Sequence, residues 1–165
     1  MNMLSIIKAL ETLRLAPVSP DMDKAADILC REVSFNVHEY STGLEHNGWV
    51  VPYSWYAQKA DLFFDGKLVY DGLSHPLGVI GYSRSFSGDV NLSDLKGHIA
   101  SHVDRPEDLV YHCQLYYRLG LQDWGFSIPQ KTVDSLREGI YKVELDTKFD
   151  EGTMKVLEYI LEGET

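Results

Sequence analysis

The chain has 165 residues, 44% hydrophobic and 24% charged, with a formal net charge of −10. That length suits one domain with a real core, and the balance is that of an ordinary globular protein. The acidity, with Lys and Arg scattered singly, argues against nucleic-acid partners and anionic membrane surfaces, both of which need clustered basic side chains.

Met3, Ile6, Ile7, Leu10 and Leu13 recur at helical spacing, with Lys8, Glu11 and Arg14 on the opposite face, so the first element is a helix. Lys8 and Glu11 also interrupt the apolar run, and no small-residue cleavage site follows, so the segment does not read as a signal peptide. No stretch approaches the ~20 apolar residues of a membrane span, and the expected location is the cytoplasm. Pro17 and Pro20 end the first helix, and Asp21 is placed to cap a second, whose apolar face is Ala25, Ile28 and Leu29.

From there the pattern becomes mainly β. Phe35 and Val37 alternate with Asn36 and His38 as a strand. Ala60, Leu62 and Phe64 alternate, Asp65-Gly66 supplies a hairpin turn, and Leu68 and Tyr70 lie on the return strand. Leu77–Tyr82 reads as a further short strand. Ser93 is placed to cap a short helix running to about Val103, with Leu95 and Ile99 inward. Leu109–Leu119 fits helix and strand alike. Phe126–Ile128 is extended, Lys131–Glu138 helical and ended by Gly139, Tyr141, Val143 and Leu145 a strand, and Met154–Leu161 another. The expected class is α+β: two N-terminal helices, then a mainly antiparallel β-sandwich or jelly-roll-like body with short helices.

The motifs that carry chemistry are sparse. Cys30 and Cys113 match no metal or redox spacing, and Cys30, among Ile28, Leu29 and Val33, reads as a buried inert thiol. His98 and His102, at i and i+4, would share a helix face, with His112 as a third zinc ligand; however, Ile99 stands where the HExxH pattern needs Glu, and two solvent-facing histidines are the simpler reading. His38 and Glu39, neighbours on a strand, point to opposite faces and cannot easily serve one substrate atom as acid and base. No serine elbow and no phosphate-binding glycine loop is present. Asp146, Asp150, Glu151 and Glu158 read as a solvated acidic face.

All three tryptophans fall in two islands, Gly48-Trp49-Val50-Val51-Pro52-Tyr53-Ser54-Trp55 and Asp123-Trp124-Gly125-Phe126-Ser127-Ile128-Pro129. Trp49, Tyr53, Trp55 and Trp124 are the candidate substrate-facing residues, since aromatic rings stack on sugars and grip side chains, and the alternative role of such residues is to fill a core.

The order of features is itself informative. Tyr40-Ser41-Thr42-Gly43, Trp49-Val50-Val51-Pro52 with Trp55, Gly66, His75-Pro76-Leu77 and Tyr82-Ser83 come first. Leu95 with His98, Arg105-Pro106 with Glu107-Asp108, Tyr111 and Tyr116-Tyr117 follow. Asp123-Trp124-Gly125-Phe126 with Pro129, Tyr141-Lys142-Val143 and Gly152-Thr153 complete the series. This ordered set resembles the N-terminal part of the DUF4910/DUF2172 aminopeptidase-like proteins, which are related to the M28 zinc aminopeptidases. The resemblance implies a zinc-peptidase α/β domain interrupted by a β-rich insertion. Residues 1–39 would be the first elements of the peptidase domain, 40–150 the insertion, and 151–165 the start of the return to the peptidase sheet. It implies metal-assisted peptide hydrolysis in the complete protein, by two zinc ions and a Glu base. The family's Cys-His-Pro and Asn-Asp-Asn-type motifs would follow Gly163-Glu164-Thr165. His75-Pro76 is preceded by Ser74, so no catalytic or metal residue carries over onto this chain. No cofactor is expected in this chain, and its partner would be the remaining peptidase domain or a second copy. The alternative is a stand-alone peptide- or saccharide-binding module without enzymatic activity.

Overall fold

The structure is a computed structural model and describes residues 3–113 and 123–163. Leu109–Leu119 therefore lies partly, and Tyr116-Tyr117 wholly, outside the described residues. In chain order the elements are α1 (Met3–Leu10), α2 (Pro20–Glu32), β1 (Asn36–Ser41), β2 (Glu45–His46), β3 (Trp49–Val50), β4 (Ser54–Phe64) and β5 (Lys67–Asp71). Then come β6 (Phe86–Asn91), α3 (Leu92–Gly97), β7 (Ile99–Ala100), β8 (Phe126–Ser127), α4 (Gln130–Asp134), β9 (Ile140–Asp150) and β10 (Thr153–Glu158). The α+β class holds, and the described strands are mainly antiparallel. Their pairings define open sheets and do not extend to a jelly roll. No helix among the described residues is long and apolar enough to cross a membrane.

The chain divides into two compact units, one of residues 1–54 with 150–165 and one of residues 55–149. In the first, α2 is capped by Ser19, not Asp21. The Ser19 hydroxyl accepts from Met22 N at 3.1 Å, and Pro20 occupies the first turn, where its missing N–H costs nothing. Asp21 is already committed, accepting from Arg14 N at 2.9 Å and from Lys24 Nζ at 2.7 Å. β1 pairs antiparallel with β10 from Asn36↔Glu158 to Ser41↔Thr153. The ladder continues as Thr42 N donates to Gly152 O at 2.9 Å, and Gly152 N returns a bond to Thr42 Oγ1. Lys155 on β10 reaches Asp23 on α2 at 2.9 Å. The core of this unit is made of small residues, Ala16, Val18, Ala25, Ala26 and Val51. Cys30 is only half-buried, which corrects its reading as a buried thiol.

In the second unit, a four-stranded sheet runs β5-β4-β9-β6. Asp65 and Gly66 both take left-handed φ, 49° and 72°, as a two-residue hairpin between twisted strands requires. Period-two patterning places Tyr141, Val143, Leu145 and Thr147 of β9 in the core. Leu62, Leu95, Phe126 and Ile128 join them, all without measurable exposure.

Three expectations fail here for identifiable reasons. Leu77–Tyr82 forms isolated bridges, Val79↔Phe126 and Gly81↔Cys113, rather than a strand, because its residues exchange bonds with loops on several sides. The predicted Ser93 helix is capped by Asn91, whose Oδ1 accepts from Asp94 N at 2.9 Å, and stops at Gly97, because Ile99 pairs parallel with Phe126. α4 is one turn long. Beyond Asp134 the chain is held instead by Tyr141 Oη, which donates to Arg137 O at 2.8 Å and accepts from Arg137 N.

Across the outer face of the sheet, Lys59 of β4 and Lys142 of β9 both bond the Glu144 carboxylate. These two ammonium groups hold Glu144 down to about 2, against an ordinary value of 4.5. A depressed carboxylate contributes stability above its unfolded pKa and loses it as pH falls through the folded one. Glu144→Gln should therefore be destabilising near neutrality. Its difference from the parent chain should shrink steadily from pH 4.5 toward pH 2, as followed by urea denaturation at each pH.

Candidate functional site

The two tryptophan islands have different fates. Trp55 is 4% exposed and Trp124 5%, whereas Trp49 is 43% exposed. Tyr53 is half-buried.

Trp55 of the first island and Gly125 of the second meet at Ser83. The indole Nε1 of Trp55 donates to Ser83 O at 2.8 Å. The Ser83 hydroxyl donates to Ile80 O at 2.6 Å and accepts from Gly125 N at 3.1 Å. Gly125 cannot be replaced cheaply, since a Cβ there would lie 2.6 Å from His98 O and 2.6 Å from Ile80 Cδ1. Trp124 is sandwiched between Phe86, with ring centroids 4.4 Å apart, and His98, 3.9 Å apart, both nearly parallel to it. Parallel aromatic stacking of this kind adds to burial.

The histidines do not form the zinc site that their spacing suggested. His98 is the residue after α3 and His102 lies past β7, so no helix face joins them. The Nδ1 of His98 lies 3.0 Å from Trp124 O and 3.4 Å from Asp123 Oδ2. The Nδ1 of His102 is buried and has no hydrogen-bond partner among the described residues. His112 is exposed, and its carbonyl accepts from Gly81 N. Among the described residues no three His, Cys, Asp or Glu side chains stand close enough to hold a metal, so the donors present do not fit zinc. Burial pushes the Cys113 thiol up, away from the thiolate that metal or nucleophilic chemistry would need. His38 on β1 faces Glu158, with Nε2 to Oε2 at 3.0 Å on an exposed surface, rather than Glu39.

The open aromatic surface belongs to the first unit. Tyr40 of β1 lies opposite Met154 of β10, and the β2–β3 hairpin adds His46 and its partner Trp49. With Leu44 and Val51 these residues line a mainly apolar groove of about 240 Å³. Sequence reasoning found Trp49 but missed the groove. The signal was available in Asn47-Gly48, a two-residue hairpin dipeptide in which both residues take positive φ.

Fold and site together define an α+β protein with one exposed aromatic groove and one buried aromatic node. Residues 54–148 match the domain family described as "Domain of unknown function (DUF2172)", and the chain belongs to that family. It is 28% identical over 142 residues to a Clostridium acetobutylicum protein named "Putative polysaccharide biosynthesis protein with aminopeptidase-like domain". That match takes in 86% of this chain and 32% of the relative. The crystal structure of a "putative peptidase" from the same organism shares the fold, with a TM-score of 0.81 at 24% identity, over 94% of this chain and 36% of that one. The chain thus spans about a third of the length of either.

The Ser83 node yields a direct expectation. Ser83→Ala strands the buried Gly125 N–H, while Ile80 O keeps its bond from Ser83 N, and should cost about 1–3 kcal/mol in urea denaturation.

Proposed function

We propose that this chain is the N-terminal, non-catalytic part of a cytoplasmic, zinc aminopeptidase-like hydrolase of the DUF4910/DUF2172, M28-related type. Residues 40–150 would be its inserted β-rich domain, and the zinc-binding and catalytic residues would come from the remaining peptidase domain. One observation carries the reading: the first unit leaves its apolar surface open. α1 buries no residue, every residue of β1 is exposed, and Met3, Ile160 and Leu161 are 77%, 67% and 80% exposed. Surface of that extent in a soluble protein ordinarily meets further protein. The match to about a third of a relative named as having an aminopeptidase-like domain supports the same reading.

The test is to assay the 165-residue chain with and without the additional length that the Clostridium acetobutylicum relative possesses. Metal analysis and cleavage of aminoacyl p-nitroanilides should give neither zinc nor turnover for the chain alone, and both for the longer protein. Stoichiometric zinc with turnover in the chain alone would overturn the assignment.

The groove around Trp49 favours a second reading, a stand-alone peptide- or saccharide-binding module. On that reading, indole fluorescence should shift on titration with short peptides or oligosaccharides and lose the shift in Trp49→Phe. A flat titration against both ligand classes would remove it.

A further inference from the structure

The hairpin that carries Trp49 turns on Asn47-Gly48, with φ of 50° and 80°. The Gly48 N–H donates to no group among the described residues, and a Cβ at Gly48 would meet nothing within 4 Å. The Asn47 carboxamide is exposed, and its Nδ2 donates to His46 Nε2 at 3.1 Å. The arms on either side, β2 and β3, are two residues each, so local opening of the turn breaks few bonds. A free backbone nitrogen thus follows an exposed side-chain amide, with no side chain between them to hinder approach.

We propose that Asn47 is a spontaneous deamidation site, and that its conversion to isoaspartate remodels the Trp49 groove. Gly48 N loses its proton to hydroxide and attacks Asn47 Cγ, forming a C–N bond. The Cγ–Nδ2 bond breaks, and the nitrogen leaves as ammonia after taking up a proton from water. The resulting five-membered imide adds one water at either carbonyl, giving aspartate or isoaspartate. The sum is amide plus water to carboxylate plus ammonium.

Either product places a negative charge at the tip of an apolar groove. Isoaspartate also routes the main chain through Cβ and adds an atom to a two-residue turn. That turn sets the His46↔Trp49 pairing, so the extra atom displaces Trp49 from the groove wall. The inference stands apart from the reading of the chain as part of a peptidase.

The same molecule supplies controls. Asn36 is followed by Val37 and Asn91 by Leu92, whose side chains crowd the attacking nitrogen, and the Asn91 amide is held by Asp94 as a helix cap. In native protein kept in mildly alkaline buffer, peptide mapping by mass spectrometry should show Asn47 converting at least ~10-fold faster than either, because Gly alone leaves the nitrogen unhindered. Acrylamide quenching then reads Trp49, since Trp55 and Trp124 are buried. It should rise in the isoaspartate fraction above the level of the Asn47→Asp variant, which carries the charge alone. Asn47 persisting while the urea-unfolded chain converts, or converting no faster than Asn36 and Asn91, would overturn the site. Equal quenching in the isoaspartate fraction and in Asn47→Asp would overturn the remodelling.

Discussion

A single buried hydroxyl, that of Ser83, ties together parts of the chain that are far apart in sequence. It bonds Ile80 O in its own turn and Gly125 N from the second tryptophan island, while the Ser83 carbonyl receives the indole proton of Trp55 from the first. A polar group placed out of water must find partners or cost free energy, and here each partner is itself a buried group with the same requirement. The consequence is mutual specification. Trp55 can bury its ring only where a carbonyl meets its N–H, and Gly125 can approach His98 so closely only without a side chain. The Phe86–Trp124–His98 stack then seals one flank of this arrangement.

That constraint gives Trp55 and the second island a packing role. Trp124 occupies a site that its neighbours shape on both ring faces, and Gly125 beside it has no room for a methyl group. A polar group that binds substrate would by contrast be left with spare hydrogen-bonding capacity facing a cavity. The Ser83 hydroxyl gives its proton to Ile80 O and accepts from Gly125 N, and Ser127, also fully buried, exchanges bonds with Val110 N and O.

What the sequence made legible follows the same physics. The β4–β5 hairpin and β9 were readable because Asp65-Gly66 and the run Tyr141, Val143, Leu145 encode turn and face locally. α2 was readable in position but not in its cap, since Ser19 and Asp21 are both good cap residues and only the competing bond from Arg14 decides between them. The helix expected to carry His98 and His102 was lost to a non-local event, the parallel pairing of Ile99 with Phe126, which periodicity within a window does not register. β6 escaped notice because Gly88 and Asp89 interrupt its alternation, and its register on β9 holds it in place instead. The groove is a tertiary feature, built from β1, β10 and a hairpin separated by about a hundred residues of intervening chain, so only Trp49 among its walls was visible beforehand.

The contrast between the two units bears most directly on function. The second unit buries Leu62, Tyr82, Leu95, Phe126, Ile128 and Val143, enough large side chains for a domain core. The first buries mainly alanines and valines, and its principal sheet has two strands. A two-stranded ladder is marginal in water, and each large apolar side chain left exposed forgoes roughly 1.5–3 kcal/mol of burial. Within the unit, the Lys155–Asp23 pair fixes geometry but contributes little, since surface ion pairs are worth about 0–1 kcal/mol. Apolar surface on this scale asks for side-chain packing as well as partners for the two open edges of the ladder. Helices or a sheet laid over α1 and the β1–β10 ladder would supply it. This physical demand, more than any catalytic motif, underlies the proposal that the chain works as one part of a larger enzyme.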